Sequence, residues 1–499
     1  MLSRSVIGLL LGPFLFFLVL LLPVPEGFNE ISMRVVAIAL LMATFWITEA
    51  IPIAATSLLP IFLYPVLGVM SGSDTTLAYG NHLVFLLMGG FFIAVTVEKW
   101  QLHRRIALVT IRLVGDTANR IILGFMLATA FLSMWISNTA STLMMMTIGL
   151  AVISRTSQQV ENLNGGIDTE KGHFRFGIAL MLGIAYASSI GGISTLIGTA
   201  PNAIFAGVVE RQFGQTILLL DWMKFAFPLS MLMLFITWFY LTRVIYPPEI
   251  DRIPGIQETL DQEAKDLGPV TREEKLIMAV FVLVALGWLL NGLLGGRVPA
   301  LIKDSTIAIG GALMLFIIPS NLNSRVFLLD WKTAVTIPWD VLILFGGGFA
   351  LAAGFSDSGL TQSVASLLIG LKGTSIVLII AAITGLIILL TELTSNTATA
   401  SISLPIMIAL AEALQIHPYS VMIGTVIAAS FAFMLPVATP PNAIVFGSRY
   451  VTIPQMARAG AGLNIIGIIL ITLFVLLFLP LVWDLEISGY VLSTSLDGQ

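Results

Sequence analysis

The sequence predicts an all-α polytopic membrane protein. About eleven transmembrane helices and two re-entrant helical hairpins form two inverted-topology repeats. Three observations predict this. Of 499 residues, 57% are hydrophobic and only 10% charged, against about 25% charged in soluble proteins. Many apolar runs reach the roughly 20 residues that cross a bilayer. Short polar motifs also recur in pairs: Ser137-Asn138-Thr139-Ala140 returns as Ser395-Asn396-Thr397-Ala398, and Gly198-Thr199-Ala200-Pro201-Asn202-Ala203-Ile204 returns as Ala438-Thr439-Pro440-Pro441-Asn442-Ala443-Ile444.

Taken in order, the expected spans are 6–23, 32–50, 53–70, 82–98, 175–210, 223–246, 273–293, 301–319, 340–356, 418–449 and 461–483. The first follows a single Arg4 and is too long for a typical signal-peptide core, so it reads as a retained helix, with cleavage as the alternative. Between spans, residues 99–115 place Lys99, Arg104, Arg105 and Arg112 beside apolar residues, the pattern of an interfacial amphipathic helix. Residues 357–372 are its counterpart. Two further stretches, 121–154 and 376–413, are each about twice a helical arm and are interrupted by a Ser-Asn-Thr motif. Each reads as a hairpin that enters and leaves on one side, 121–154 from the cytoplasm and 376–413 from outside. Two full spans would also return the chain to its starting side. The crowding of Ser133, Ser137, Asn138, Thr139, Ser141 and Thr142 favours the re-entrant form.

The organisation that follows is a first helix (1–30), a first repeat (31–246) and a cytoplasmic linker (247–272) with Pro247, Pro248 and Pro254. A second repeat (273–484) and a tail (485–499) complete it. Residues 156–174 form a polar loop containing Asn164-Gly165-Gly166. Gly89-Gly90-Phe91 matches Gly347-Gly348-Phe349, Leu102 matches Leu360 and Ser137 matches Ser395, all 258 residues apart. An odd number of crossings between the halves makes them inverted. With the N-terminus cytoplasmic, 18 of the 24 Lys and Arg residues fall inside, as positive-inside topology requires. The C-terminus is then periplasmic.

Composition excludes several classes. A net charge of −4, spread along the chain, gives no basic face for nucleic acid, and there is no cysteine for disulfide, thiolate or metal chemistry. His82, His103, His173 and His417 match no metal spacing.

Paired polar, helix-breaking motifs at matching places in two hydrophobic halves point to a transporter's binding site. Ser, Asn and Thr are N-cap residues, so each hairpin tip aims the free N–H groups of a helix start at the membrane centre. The carbonyls that end the preceding arm can ligate a hard cation such as Na⁺. Pro201, Pro440 and Pro441 interrupt long apolar spans. Non-helical backbone at that depth survives only when buried in protein or lining a wet cavity. The motifs hold no Lys or Arg, so helix ends and a bound cation must balance any anion there.

On these motifs the chain resembles the divalent-anion/sodium symporter family, the INDY-type di- and tricarboxylate transporters, along essentially its whole length. The resemblance implies a homodimer with a scaffold and a moving transport domain working as an elevator; the lack of an Asn-x-Ser/Thr acceptor site agrees with a bacterial inner membrane. The resemblance also implies Na⁺ as co-transported ion, no organic cofactor, and C4-dicarboxylates such as succinate, malate and fumarate as substrates. It implies one sodium site at Ser133, Ser137, Asn138 and Gly198, and a second at Thr391, Thr394, Asn396 and Ala438. The dicarboxylate would meet Asn138, Thr139, Thr199, Asn396, Thr397, Thr439 and Pro440. Ala200 stands where the family often has proline.

Plainer readings stand beside these. Asn138 and Asn396 also read as simple N-caps, Ser133 and Thr391 as hydroxyls bonded to their own helix, and Gly198 and Ala438 as small packing residues. Glu392 is ionisable within an apolar arm, which is a functional hypothesis by default. Its repeat partner is Met134, so it is left out of the direct ligands. Citrate or sulfate-type symport and Na⁺-independent dicarboxylate exchange are the rival transport functions. An anion channel or an intramembrane enzyme would be the other classes. No nucleophile–base pair supports an enzyme.

Overall fold

Capping residues and prolines set the helix boundaries. The computed structural model describes residues 3–162, 167–253, 256–294, 302–321 and 326–488. The Asn164-Gly165-Gly166 loop, Pro254, Arg297, Arg325 and residues 489–499 of the tail lie outside the described residues.

Helix α1 (Arg4–Leu21) starts where the Ser3 hydroxyl accepts from the Val6 N–H, and α2 (Glu30–Thr48) starts at a reciprocal Asn29–Ser32 capping box. The expected span 53–70 is not one helix. It is α3 (Ile53–Thr56) and α4 (Leu59–Val66), because Pro52, Pro60 and Pro65 deny three backbone donors within fourteen residues. Next come α5 (Gly72–Leu77), α6 (His82–Lys99) and α7 (Leu102–Val114).

The first hairpin is α8 (Ala118–Ser133) and α9 (Asn138–Asn162). The first broken span is α10 (Arg175–Gly192) and α11 (Ala200–Phe213). Helix α12 (Leu219–Phe239) closes the first half. The linker carries α13 (Ile256–Leu267), and α14 (Arg272–Leu294) and α15 (Asp304–Ile317) follow. The chain then makes a small antiparallel hairpin, Pro319–Asn321 with Val326–Phe327, which hydropathy did not signal. Beyond it lie α16 (Trp331–Ala334), α17 (Trp339–Asp357) and α18 (Leu360–Leu368). The second hairpin is α19 (Ile376–Thr391) and α20 (Asn396–Leu414), and the second broken span is α21 (Pro418–Ala428) and α22 (Pro440–Gly447). Helices α23 (Ile453–Leu473) and α24 (Leu479–Trp483) end the fold.

Nine helices among the described residues are long and apolar enough to cross a bilayer. The expected span 301–319 is shorter than that, since Lys303 caps α15 and Pro319 enters the strand. Helices α10 and α21 form the centre: residues Phe176 to Gly192 and Pro418 to Ala428 are all buried.

Helix α7 is amphipathic, and its polar face has a partner that the local sequence does not show. Its apolar face (Leu102, Ala107, Leu108, Ile111) packs inward as an amphipathic helix should. Its basic residues, however, pair with acids of the linker and the start of α14. Arg104 meets Glu263 at 2.9 Å, Arg112 meets Asp261 at 2.6 Å and Arg105 meets Glu274 at 2.8 Å. Arg155 of α9 meets Glu258 at 2.8 Å. The mixed-charge linker is therefore a helix held on this face by opposite charge. Nearby, the Lys99 ammonium bonded to Asp330, with the Thr333 N–H, holds that carboxyl down at about 2.

Candidate functional site

Each Ser-Asn-Thr motif lies at the point where one hairpin arm stops and the next begins. Arm α8 ends at Ser133 and α9 starts at Asn138, while α19 ends at Thr391 and α20 starts at Asn396. At the first tip the Ser137 hydroxyl accepts from the Ala140 N–H at 3.2 Å, so one orphan donor of α9 is satisfied locally.

The Pro-Asn motifs open the second pieces of the broken spans. Residues 193–199 and 429–439 separate the paired helices. Pro201, Pro440 and Pro441 sit in the first turn of α11 and α22, where a missing N–H is harmless. The following asparagines brace the non-helical stretches. Asn202 Nδ2 donates to the carbonyls of Gly192, Ile193 and Thr195, and Asn442 Nδ2 to those of Ala432 and Leu435.

These four elements meet around one cavity of about 910 Å³. Ser137, Asn138 and Thr139 enter from the first tip, and Gly198, Thr199 and Ala200 from the first break. Thr394, Asn396 and Thr397 enter from the second tip, and Ala438, Thr439 and Pro440 from the second break. The starts of α9, α11, α20 and α22 all reach the cavity wall, so four positive dipole ends face one space; the free N–H groups come mainly from the two hairpin tips, because Pro440 and Pro441 have none and the Asn442 N–H is capped by the Thr439 hydroxyl. Ala200, the departure noted in the sequence, lines the cavity and begins α11 without disturbing it.

Two of the residues singled out lie behind the wall. Ser133 and Thr391 are fully buried. The Ser133 hydroxyl donates to Asn138 Oδ1 at 2.5 Å, and the Thr391 hydroxyl to Asn396 Oδ1 at 2.8 Å and the Ala429 carbonyl at 2.7 Å. Neither is absorbed by its own helix. Thr394 lies in the turn between the arms, its hydroxyl 2.9 Å from the Leu390 carbonyl and 2.5 Å from the Thr399 hydroxyl.

Glycines make the first tip tight. A Cβ on Gly198 would stand 2.5 Å from the Gly192 carbonyl oxygen and 2.9 Å from that of Ser133. One on Gly192 would stand 2.6 Å from Asn138 Oδ1 and 3.2 Å from the Gly198 carbonyl oxygen. The Asn138 carboxamide oxygen and the carbonyl oxygens of Ser133, Gly192 and Gly198 thus approach the two glycines too closely for any larger residue. A set of carboxamide and carbonyl oxygens suits a hard cation.

Sequence reasoning missed several contributors. Ser188 of α10 donates to the Asn138 carbonyl at 2.9 Å, and the polar Ser188-Ser189 pair in an otherwise apolar span was the signal. Leu87 and Phe91 of α6, with Val341, Leu344 and Phe345 of α17, form the apolar wall. Arg4 also reaches the cavity, beside Glu49 and Asp340. Its guanidinium donates to the carbonyls of Ile47 and Leu393. No motif announces a basic residue at the cavity, because it depends on where α1 docks.

A helical membrane fold with two hairpin tips and two broken spans around a central cavity defines a secondary transporter. The profile of the sodium:sulfate symporter transmembrane region matches residues 3–484. Sodium-dependent dicarboxylate transporter SdcS of Staphylococcus saprophyticus is 41% identical over 487 residues, covering 97% of this chain and 93% of its own length. Its counterpart in Staphylococcus aureus strain MRSA252 is 43% identical over 489 residues with the same coverage. The chain belongs to the sodium:sulfate symporter family. Among solved structures, Neisseria gonorrhoeae MtrF superposes with a TM-score of 0.57 at 13% identity, covering 96% of both chains. Alcanivorax borkumensis YdaH superposes with a TM-score of 0.53 at 14% identity, covering 91% of this chain and 99% of its own. At such identity these two speak for the fold alone.

Proposed function

We propose that this chain is a sodium-coupled symporter that imports C4-dicarboxylates. The observation that carries the reading is the meeting of both Ser-Asn-Thr tips and both Pro-Asn breaks around one cavity. The SdcS relatives, named as sodium-dependent dicarboxylate transporters, match along nearly the whole chain.

The first Na⁺ binds at Ser133, Ser137, Asn138 and Gly198, and the second at Thr391, Thr394, Asn396 and Ala438. Asn138, Thr139, Thr199, Asn396, Thr397, Thr439 and Pro440 then receive the dicarboxylate. A charged side chain at mid-membrane disfavours insertion by about 2.5–3.5 kcal/mol, and the motifs avoid one. Helix N-termini and the two cations balance the substrate's charge instead. Cation and anion each make the other's site more favourable, which couples their movement.

The cavity runs to Arg4, Glu49 and Asp340. On the positive-inside assignment these share the cytoplasmic side, so this is an inward-facing form. The repeats are inverted, and the transport domain moves as an elevator within a homodimer in the bacterial inner membrane.

The test is uptake of labelled succinate into proteoliposomes with Na⁺ or K⁺ outside. Uptake only with Na⁺ supports symport, and equal rates reject coupling. Competition by malate, fumarate, citrate and sulfate sets the substrate class, sulfate being included because it is the other substrate class of the sodium:sulfate symporter family.

A further inference from the structure

Repeat-equivalent positions tie each hairpin tip to its broken helix, but with opposite polarity. In the first half the side chain comes from the break: the Thr195 hydroxyl donates to the Met134 carbonyl at 2.6 Å. In the second half it comes from the tip, where Glu392 occupies the position equivalent to Met134. Its Oε1 accepts from the Phe433 and Met434 N–H groups, both at 2.8 Å, and its Oε2 from the Leu435 N–H at 3.1 Å. Three successive amides folded around one carboxyl group form a nest.

A third element closes on the same stretch. Asn464 of α23 donates to Glu392 Oε1 at 2.9 Å. One turn earlier, a Cβ on Gly460 would stand 2.2 Å from the Phe433 carbonyl oxygen, so α23 lies directly on this backbone. Glu392 is itself only 4% exposed. None of its four partners is a cation, and none belongs to the cavity wall.

We propose that Glu392 is a positioning residue for the second cation site: by gripping residues 433–435 and α23 it fixes where the Ala438 carbonyl stands relative to Thr391 and Asn396. The path is short. Glu392 adjoins Thr391, and the Ala438 N–H bonds back to the Leu435 carbonyl at 3.2 Å. At the first cation site the links from the broken helix, Thr195 to Met134 and Ser188 to Asn138, are single hydroxyl bonds, so the clamp acts on one site of the two. This rests on the sodium symport proposed above.

The experiment uses the full chain purified in detergent. Sodium-dependent thermal stabilisation gives the half-saturating Na⁺ concentration, and hydrogen exchange reports on the amides of 433–435. Loss of an outer partner weakens a metal site about tenfold or more. Glu392→Gln is therefore expected to raise half-saturating Na⁺ about tenfold, lower its Hill coefficient and speed exchange at 433–435. The dicarboxylate half-saturation measured at saturating Na⁺ returns to the wild-type value, which general destabilisation would not produce. Asn464→Ala keeps the carboxylate and removes one donor, so it shifts Na⁺ affinity the same way by less. If Glu392→Gln does not fold, Asn464→Ala alone decides. Half-saturating Na⁺ within twofold of wild type in the folded variant, or unchanged exchange at 433–435, overturns the proposal. A wild-type protein that shows no Na⁺ response overturns the symport reading itself and this inference with it.

Discussion

The Ser133 hydroxyl donates to Asn138 Oδ1 at 2.5 Å, and 258 positions later the Thr391 hydroxyl donates to Asn396 Oδ1 at 2.8 Å. The same five-residue bridge therefore spans both hairpin tips. It fixes each carboxamide plane, with its oxygen drawn toward the end of the preceding arm. In the proposed mechanism the oxygen then serves the cation and the remaining amide surface serves the substrate.

Asn138→Ala and Asn396→Ala are accordingly expected each to abolish Na⁺-driven succinate uptake. Neither should unfold the protein, because the arms α8–α9 and α19–α20 keep their apolar packing. Uptake in proteoliposomes and size-exclusion elution in detergent check the two halves of this statement. Full transport by either variant defeats the assignment.

Gly198→Ala adds a methyl group 2.5 Å from the Gly192 carbonyl oxygen and 2.9 Å from that of Ser133, both backbone atoms with little freedom. Overpacking of this kind destabilises by about 1–3 kcal/mol and should weaken the sodium response of the first site. Gly310→Ala is the control, since its added carbon meets nothing within 4 Å. The comparison is read as thermal midpoint with and without Na⁺. Equal sodium responses in the two variants would mean that Gly198 matters only for packing elsewhere.

The linker helix α13 gives a prediction away from the membrane. Asp261→Lys with Glu263→Lys turns two attractions to Arg112 and Arg104 into repulsions. Exposed pairs are each worth about 0–1 kcal/mol. Losing about 1 kcal/mol of docking should speed hydrogen exchange at the α13 amides about fivefold at low salt. Exchange at the wild-type rate would show that Leu260, buried completely, holds the helix without the charges.

The parts of the fold written in local chemistry were legible in the sequence. Pro201 and Pro440 must lie in a first helical turn, Asn138 and Asn396 favour a helix start, and long apolar runs between them make helices. The convergence of the four motifs was legible only through their repetition, since one Ser-Asn-Thr alone is an ordinary cap. Contacts between distant segments were not legible. Glu392 meets amides 41 to 43 residues further on, and no periodicity carries that information. What the sequence did offer was an unpaired acid opposite Met134. The span 53–70 was misread because hydropathy averages over Pro52, Pro60 and Pro65, whereas a helix answers to each missing donor. The partners of the basic face of α7 were not legible because Glu263 and Asp261 lie about 150 residues later in the linker.

Binding of sodium and of dicarboxylate should show reciprocal linkage. The starts of α9, α11, α20 and α22 face one cavity, and the oxygen clusters proposed for cations adjoin it at Asn138 and Asn396. A dianion seated there raises the attraction for each cation, and each cation lowers the repulsion the dianion would meet from the tip carbonyls. Coupling of about 1–3 kcal/mol corresponds to about 5–150-fold in affinity. The half-saturating Na⁺ concentration, read from thermal stabilisation, is therefore expected to fall at least fivefold between zero and saturating succinate. By the same factor, Na⁺ should sharpen the half-saturating succinate concentration. K⁺ should do neither if the site selects for Na⁺. Sodium affinity that does not move with succinate would separate the two sites and remove the shared cavity as the basis of coupling.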